Sequence, residues 1–173
     1  IDSAVVAYLI KKAFPKNSMG VIMSIKSNPK DREDALKVIN GCNIDYIDLD
    51  LTSEQSMILE QVTSKLKNKN LDLTKPQEMI LNSVTSALKE KDLYSESGFR
   101  AADSNLRARV RMSTVYTVAN NLGYLVVGTD NAAEIHTGYF TKHGDGGVDL
   151  IPLANLTKRE VYEWAKELGV HDD

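Results

Sequence analysis

The strongest constraint in this sequence is a regular alternation of short apolar runs with amphipathic helical stretches. Val5, Val6, Leu9, Ile10 and Ala13 recur at helical spacing, which predicts a helix over Ser3 to Phe14 with Pro15 as its stop. The run Gly20-Val21-Ile22-Met23-Ser24-Ile25 suits a buried parallel strand. Pro29 and Asp31 open a second helix striped by Ala35, Leu36, Val38 and Ile39, with Gly41 as its expected C-terminal stop. Ile44 to Leu51 alternates apolar and polar residues, a strand pattern. Strand, helix, strand in this order demands a parallel sheet with right-handed crossovers, and so a doubly wound α/β domain.

The remainder continues the pattern. Thr52 with Gln55 reads as a capping box opening a helix through Lys67, and a further helix is expected from near Pro76 to about Glu90. The polar stretch Lys91 to Arg100, containing Gly98, reads as a mobile loop. A long helix follows from Ser104 to Leu122, closed by Gly123. Tyr124 to Gly128 is the next expected buried strand, with Leu125-Val126-Val127 as its core. Thr157 with Glu160 forms a second capping box, before a helix whose apolar face carries Val161, Trp164, Ala165 and Leu168.

Composition narrows the function classes. A net charge of -3 points away from nucleic acid and from anionic membranes, both of which select basic surfaces. No apolar run reaches the length of a membrane span. The lone Cys42 cannot form an internal disulfide and lacks companions at metal-ligand spacing, so it reads as a small buried hydrophobe in a reducing cytoplasm. The chain opens on Ile1 directly before a helix and halts soon after Gly169, and neither end reads as a natural domain edge.

Ligands of doubly wound sheets bind beyond the carboxyl ends of strands, which singles out three places. Asp2 and Ser3 stand at the start of the first helix, where they either cap it or furnish an anion and cation site. After Val127 comes Gly128-Thr129-Asp130-Asn131-Ala132-Ala133-Glu134, in which Asp130 or Asn131 caps a short helix and Glu134 meets either a metal or a capped N–H. Gly138 to Asp149 crowds two aromatics, Lys142, His143, two acids and four glycines into one loop, a composition that favours a ligand cover over a bare surface loop. His136, His143 and His171 lack zinc spacing, and Arg107, Arg109 and Arg111 read first as solvated charge on one helix. No Ser–His–Asp constellation can be assembled.

Several of these segments together resemble ammonia-dependent NAD synthetase, of the PP-loop ATP pyrophosphatase superfamily. They are Gly128 to Glu134, Gly138-Tyr139-Phe140-Thr141-Lys142, Gly144-Asp145-Gly146-Gly147, Leu156-Thr157-Lys158-Arg159 and Asn105-Leu106-Arg107-Ala108-Arg109. Ile1-Asp2-Ser3 resembles the tail of the superfamily's Ser-Gly-Gly-x-Asp-Ser phosphate loop, whose first part and preceding strand are absent. The resemblance implies a three-layer Rossmann-like α/β/α fold over residues 1–173, one domain shortened at both ends. It implies ATP-dependent amidation of deamido-NAD by ammonia through an adenylate, releasing AMP and pyrophosphate. It further implies a homodimer, Mg2+ held by Asp2 and Glu134, ATP at Asp2, Ser3, Thr129 and Lys158, and deamido-NAD at Arg109, Lys142 and Asp149. Asp2, Glu134 and Lys158 are the implied catalytic set. Residues 65–99 are longer and more polar than the family pattern. The competing readings are another adenylating amidotransferase of the superfamily and a non-catalytic nucleotide-binding module.

Overall fold

The computed structural model describes residues 1–67 and 96–170. Among the described residues the elements are α1 (Asp2–Ala13), β1 (Met19–Ser24), α2 (Pro29–Cys42), β2 (Asp45–Asp50), α3 (Thr52–Lys67), α4 (Glu96–Leu122), α5 (Ala132–Thr137) and α6 (Lys158–Leu168). β1 and β2 pair in parallel, Met19 opposite Asp45 through Ser24 opposite Asp50, with α2 as the crossover. This is the parallel α/β arrangement of a Rossmann-like fold, as the alternation requires. The helix expected from Pro76 to Glu90 lies outside the described residues. No helix among those described is long and apolar enough to cross a membrane.

Two apolar clusters hold the elements. Ala4, Val5 and Val6 of α1 pack with Leu153 and with Val161, Ala165 and Val170 in and beyond α6, and Val127 joins from the side. Ile22 of β1, Ile39 of α2 and Ile44 form the second cluster, against which half-buried Cys42 packs as the small hydrophobe expected. Burial pushes the Cys42 thiol up. Trp164, placed on the apolar face of α6 by its spacing, is 45 % exposed and contributes little to that core.

Two expected boundaries and one expected cap differ. Gly41 does not end α2. The helix runs to Cys42, and Asn43 takes the left-handed cap at φ 53°, a conformation asparagine tolerates. Gly41 serves packing instead, because a Cβ there would run into the Tyr8 hydroxyl of α1. Thr52 and Gln55 do not form a capping box. The Thr52 hydroxyl accepts the Lys26 N–H at 3.0 Å, and buried Gln55 donates from Nε2 to Asp103 of α4 at 2.7 Å. Glu96 to Arg100, expected in a loop, is the first part of α4. A single interior glycine such as Gly98 costs a helix only about 1 kcal/mol, too little to break one of 27 residues.

The segment after Leu122 is extended but is not a laddered strand. Val127 bridges Leu150 in parallel, with the Gly128 N–H donating to the Leu150 carbonyl at 2.7 Å. Val126 is buried, whereas Leu125, expected in the core, is 66 % exposed.

Candidate active site

The site is built at the point where α1, α5 and α6 all begin. Asp2 sits inside the first turn of α1 rather than capping it, and no side chain caps that turn. Its carboxylate faces inward instead. Oδ1 accepts from Asn131 Nδ2 at 3.0 Å, and Oδ2 is paired with the Lys158 ammonium. Burial pushes the Asp2 carboxyl up, but the two hydrogen bonds and the lysine charge outweigh it and hold the group below the ordinary range.

Of the two candidate caps after Thr129, Asn131 takes the role. Its Oδ1 accepts from Ala133 N at 3.0 Å and Glu134 N at 3.3 Å, and Glu134 Oε2 accepts the Asn131 N–H at 2.9 Å, a complete capping box. Glu134 therefore meets a capped N–H, one of the two roles its spacing allowed. Lys158 follows Thr157, which with Glu160 forms the second box as the spacing predicts. The structure thus links Asn131 to both Asp2 and Glu134, and Asp2 to Lys158. Ser3 stays exposed on the first turn of α1, and Thr129 is half-buried just before the Asp130–Asn131 turn.

Asp130, read from the sequence only as the alternative cap, has a different place. It is buried, and its carboxyl is pushed up to about 6, first by desolvation and then by the charges of Asp145, Glu134 and Asp2. Four carboxylates therefore share one neighbourhood. A hard divalent cation suits such an oxygen donor set, since it needs one or two carboxylates, with water and phosphate completing its shell. Among the described residues no three His, Cys, Asp or Glu side chains stand close enough to form a complete cage.

The second group of expected residues lies along α4. Asn105, Ala108, Arg109, Met112 and Tyr116 fall on one helical stripe, and the glycine-rich loop is laid onto it. Thr141 and Asn105 are hydrogen-bonded at 3.0 Å, Arg109 Nε donates to the Lys142 carbonyl at 3.2 Å, and the Tyr116 hydroxyl donates to Asp149 Oδ1 at 3.0 Å. The other Asp149 oxygen accepts the Val126 N–H at 2.8 Å. Arg109, Lys142 and Asp149 are thereby brought together by one helix face and its loop, with the Lys142 side chain exposed. A Cβ on Gly144 would fall 2.8 Å from Ala108 Cβ and 2.9 Å from Thr141 Cβ, so glycine is what permits the contact. Tyr139, 80 % exposed, stands out from the loop.

Arg107 and Arg111 of α4 are engaged rather than simply solvated. Arg107 pairs with Asp103, and Arg111 Nε donates to the Met23 carbonyl of β1 at 3.0 Å. His136 and His143 are exposed, as expected, and His171 lies outside the described residues.

Comparison with known proteins identifies the family. The chain matches the NAD synthase family over residues 1–75 and 64–173. It is 56% identical over 170 residues to the NH(3)-dependent NAD(+) synthetase of Alkaliphilus oremlandii, covering 98% of this chain and 59% of that protein. Among solved structures, the NMN synthetase of Francisella tularensis superposes with TM-score 0.74 at 30% identity, over 98% of this chain and 58% of that one. The NH3-dependent NAD synthetase of Campylobacter jejuni, solved with a nitrate ion, superposes at TM-score 0.73 and 28% identity, over 98% and 60%. The chain belongs to the NAD synthase family. It spans about three fifths of the length of these relatives.

Two predictions follow from the geometry. Gly144→Ala keeps the fold but lifts the loop off α4, because Ala108 Cβ is fixed by its helix and cannot yield. Faster amide exchange over residues 141–147, with melting temperature little changed, is the expected result. For Asp130, a folded value of about 6 against an ordinary 3.8 means the folded state binds more protons between those values. Stability conferred by the protonated group is therefore lost as pH rises through that window. Asp130→Asn removes this loss, so its stability relative to the parent, read from urea midpoints, should rise between about pH 4 and about pH 7. A flat difference would show that Asp130 is not perturbed.

Proposed function

We propose that the protein carrying this chain is an ammonia-dependent NAD synthetase, which amidates deamido-NAD at the expense of ATP. The observation that carries this reading is the Asp2–Asn131–Lys158 junction beside Glu134, in a chain of this family. The NH(3)-dependent NAD(+) synthetase of A. oremlandii shares more than half of its residues with this chain over the aligned region. On this reading the described residues belong to one ATP pyrophosphatase-type domain.

In the reaction, a carboxylate oxygen of the nicotinate ring attacks the α-phosphorus of ATP. The bond to the bridging oxygen breaks and pyrophosphate leaves. Ammonia then attacks the acyl carbon of the adenylate, AMP departs with the bond electrons, and a proton is lost to solvent. The attacking carboxylate is already ionised at neutral pH, so the first step calls for no general base. The obstacle is charge, because two anions must meet.

The chain's residues address that obstacle. The uncapped first turn of α1 offers backbone N–H groups to phosphate oxygens, with the Ser3 hydroxyl beside them. Asp2 and Glu134 are the residues that would hold Mg2+, which would supply neutralisation of the triphosphate. Lys158, already within reach of the site, moves from Asp2 to the phosphates as a compact positive charge. Thr129 lies one residue before the Asp130–Asn131 turn, within reach of the nucleotide. Arg109, Lys142 and Asp149, fixed on the α4 face, hold deamido-NAD with the loop 138–149 above it. The protein acts in the cytoplasm as a homodimer.

The test is direct. Given ATP, Mg2+, deamido-NAD and ammonium, the protein should form NAD and pyrophosphate in equal amounts. Lys158→Met should raise the KM for ATP by roughly tenfold or more, the size of one lost charge-assisted hydrogen bond. Because one structural relative is an NMN synthetase, the mononucleotide acid should be tried in parallel. Preference for it would move the acceptor from dinucleotide to mononucleotide. Pyrophosphate release with neither acceptor would point to another amidotransferase of the superfamily. ATP binding without turnover would mark a nucleotide-binding module.

A further inference from the structure

We infer that Asn131 is the positioning residue of this site, fixing Asp2 and Glu134 as a pair. The inference rests on the reading of those two carboxylates as the cation-binding groups. Asn131 is only 2 % exposed, and every polar atom of its side chain is used. Oδ1 accepts two backbone N–H groups of α5, at 3.0 and 3.3 Å, and Nδ2 donates to Asp2 Oδ1 at 3.0 Å. Its own N–H donates to Glu134 Oε2 at 2.9 Å. One residue therefore touches both carboxylates, which lie 132 positions apart in the chain (134 less 2).

The amide orientation follows from its surroundings. Turned over, Nδ2 would face two N–H donors and Oδ1 would face a carboxylate, so only the observed arrangement is satisfied. The same bookkeeping explains why asparagine stands here. Aspartate caps a helix equally well but cannot donate to Asp2, and it would add repulsion to a site already crowded with carboxylates. Serine caps equally well, but its hydroxyl is too short to span both the cap and Asp2. Only the uncharged amide accepts on one side and donates on the other at this length.

The two oxygens of Asp2 are consequently unequal. Oδ1 is tied to a buried group that is itself locked by a helix cap. Oδ2 meets Lys158, whose side chain is 46% exposed and free to leave. Asn131 keeps Asp2 turned so that the exchangeable oxygen faces the site, and it holds one oxygen of Glu134 in the same frame. Groups that orient metal ligands in this way commonly change metal affinity by roughly ten- to a hundredfold.

The experiment measures Mn2+ affinity by electron paramagnetic resonance, without nucleotide, for the full chain and its Asn131→Ser and Asp2→Asn variants. Serine retains the cap, so a purely structural role predicts unchanged affinity and an unchanged melting temperature. The positioning role predicts Mn2+ binding weakened about tenfold in Asn131→Ser, with the melting temperature near that of the parent. In the unaltered chain, the Asn131 side-chain amide resonance should also shift on addition of Mg2+, with the midpoint of metal binding. That measurement stands even if the serine variant folds poorly. Parent-like affinity in Asn131→Ser alongside loss in Asp2→Asn would overturn the role of Asn131 and leave the proposed function intact. Parent-like affinity in both variants would overturn the metal site and the positioning role together.

Discussion

The structure depends on one partly buried carboxylate. Asp2 lies near the start of the chain, yet its two oxygens are met by residues 129 and 156 positions away. Burial opposes the ionised form, and only the donors from Asn131 and Lys158 make it favourable. Their meeting sets α1, α5 and α6 with their N-terminal ends at one point. The apolar cluster of Val5, Leu153 and Val161 lies behind that point and keeps the helices in register. Removing the Asp2 carboxylate would leave Lys158 and the Asn131 amide without their acceptor, a larger effect than losing one contact.

The second half of the site depends on steric allowance rather than charge. The loop from Gly138 to Asp149 lies flat on α4 because Gly144 and Gly147 present no side chain to Ala108 and Met112. Its hydrogen bonds to Asn105, Arg109 and Tyr116 then follow the helix stripe. A glycine-rich loop is here an ordered surface. Its exposed aromatics and Lys142 are free to meet a ligand because its backbone is already fixed.

Much of this was legible in the sequence, and the failures share one cause. Helical periodicity located α1, α2 and α6, the capping boxes located α6 and, as one of two options, α5, and the apolar run located β1, because each signal is local. Gly41 looked like a stop because nothing in its own segment says that Tyr8 lies above it. Thr52 and Gln55 looked like a box because their true partners, Lys26 and Asp103, are remote in sequence. Leu125 read as core because an apolar run does not reveal which of its residues faces outward. The resemblance carried Asp2, Glu134 and Lys158 to one site, which the structure assembles. It was silent on Asn131 and Asp130, whose roles appear only when the ends of three helices are brought together.

The proposed function places a metal–nucleotide complex at the Asp2 junction. The most direct measurement is a crystal structure of the protein grown with Mn2+ and a non-hydrolysable ATP analogue, with anomalous data collected for the metal. The expected result is an anomalous peak between Asp2 and Glu134, with Lys158 moved from Asp2 onto the phosphates and Asn131 unmoved. A metal peak elsewhere, with Lys158 still paired to Asp2, would contradict it.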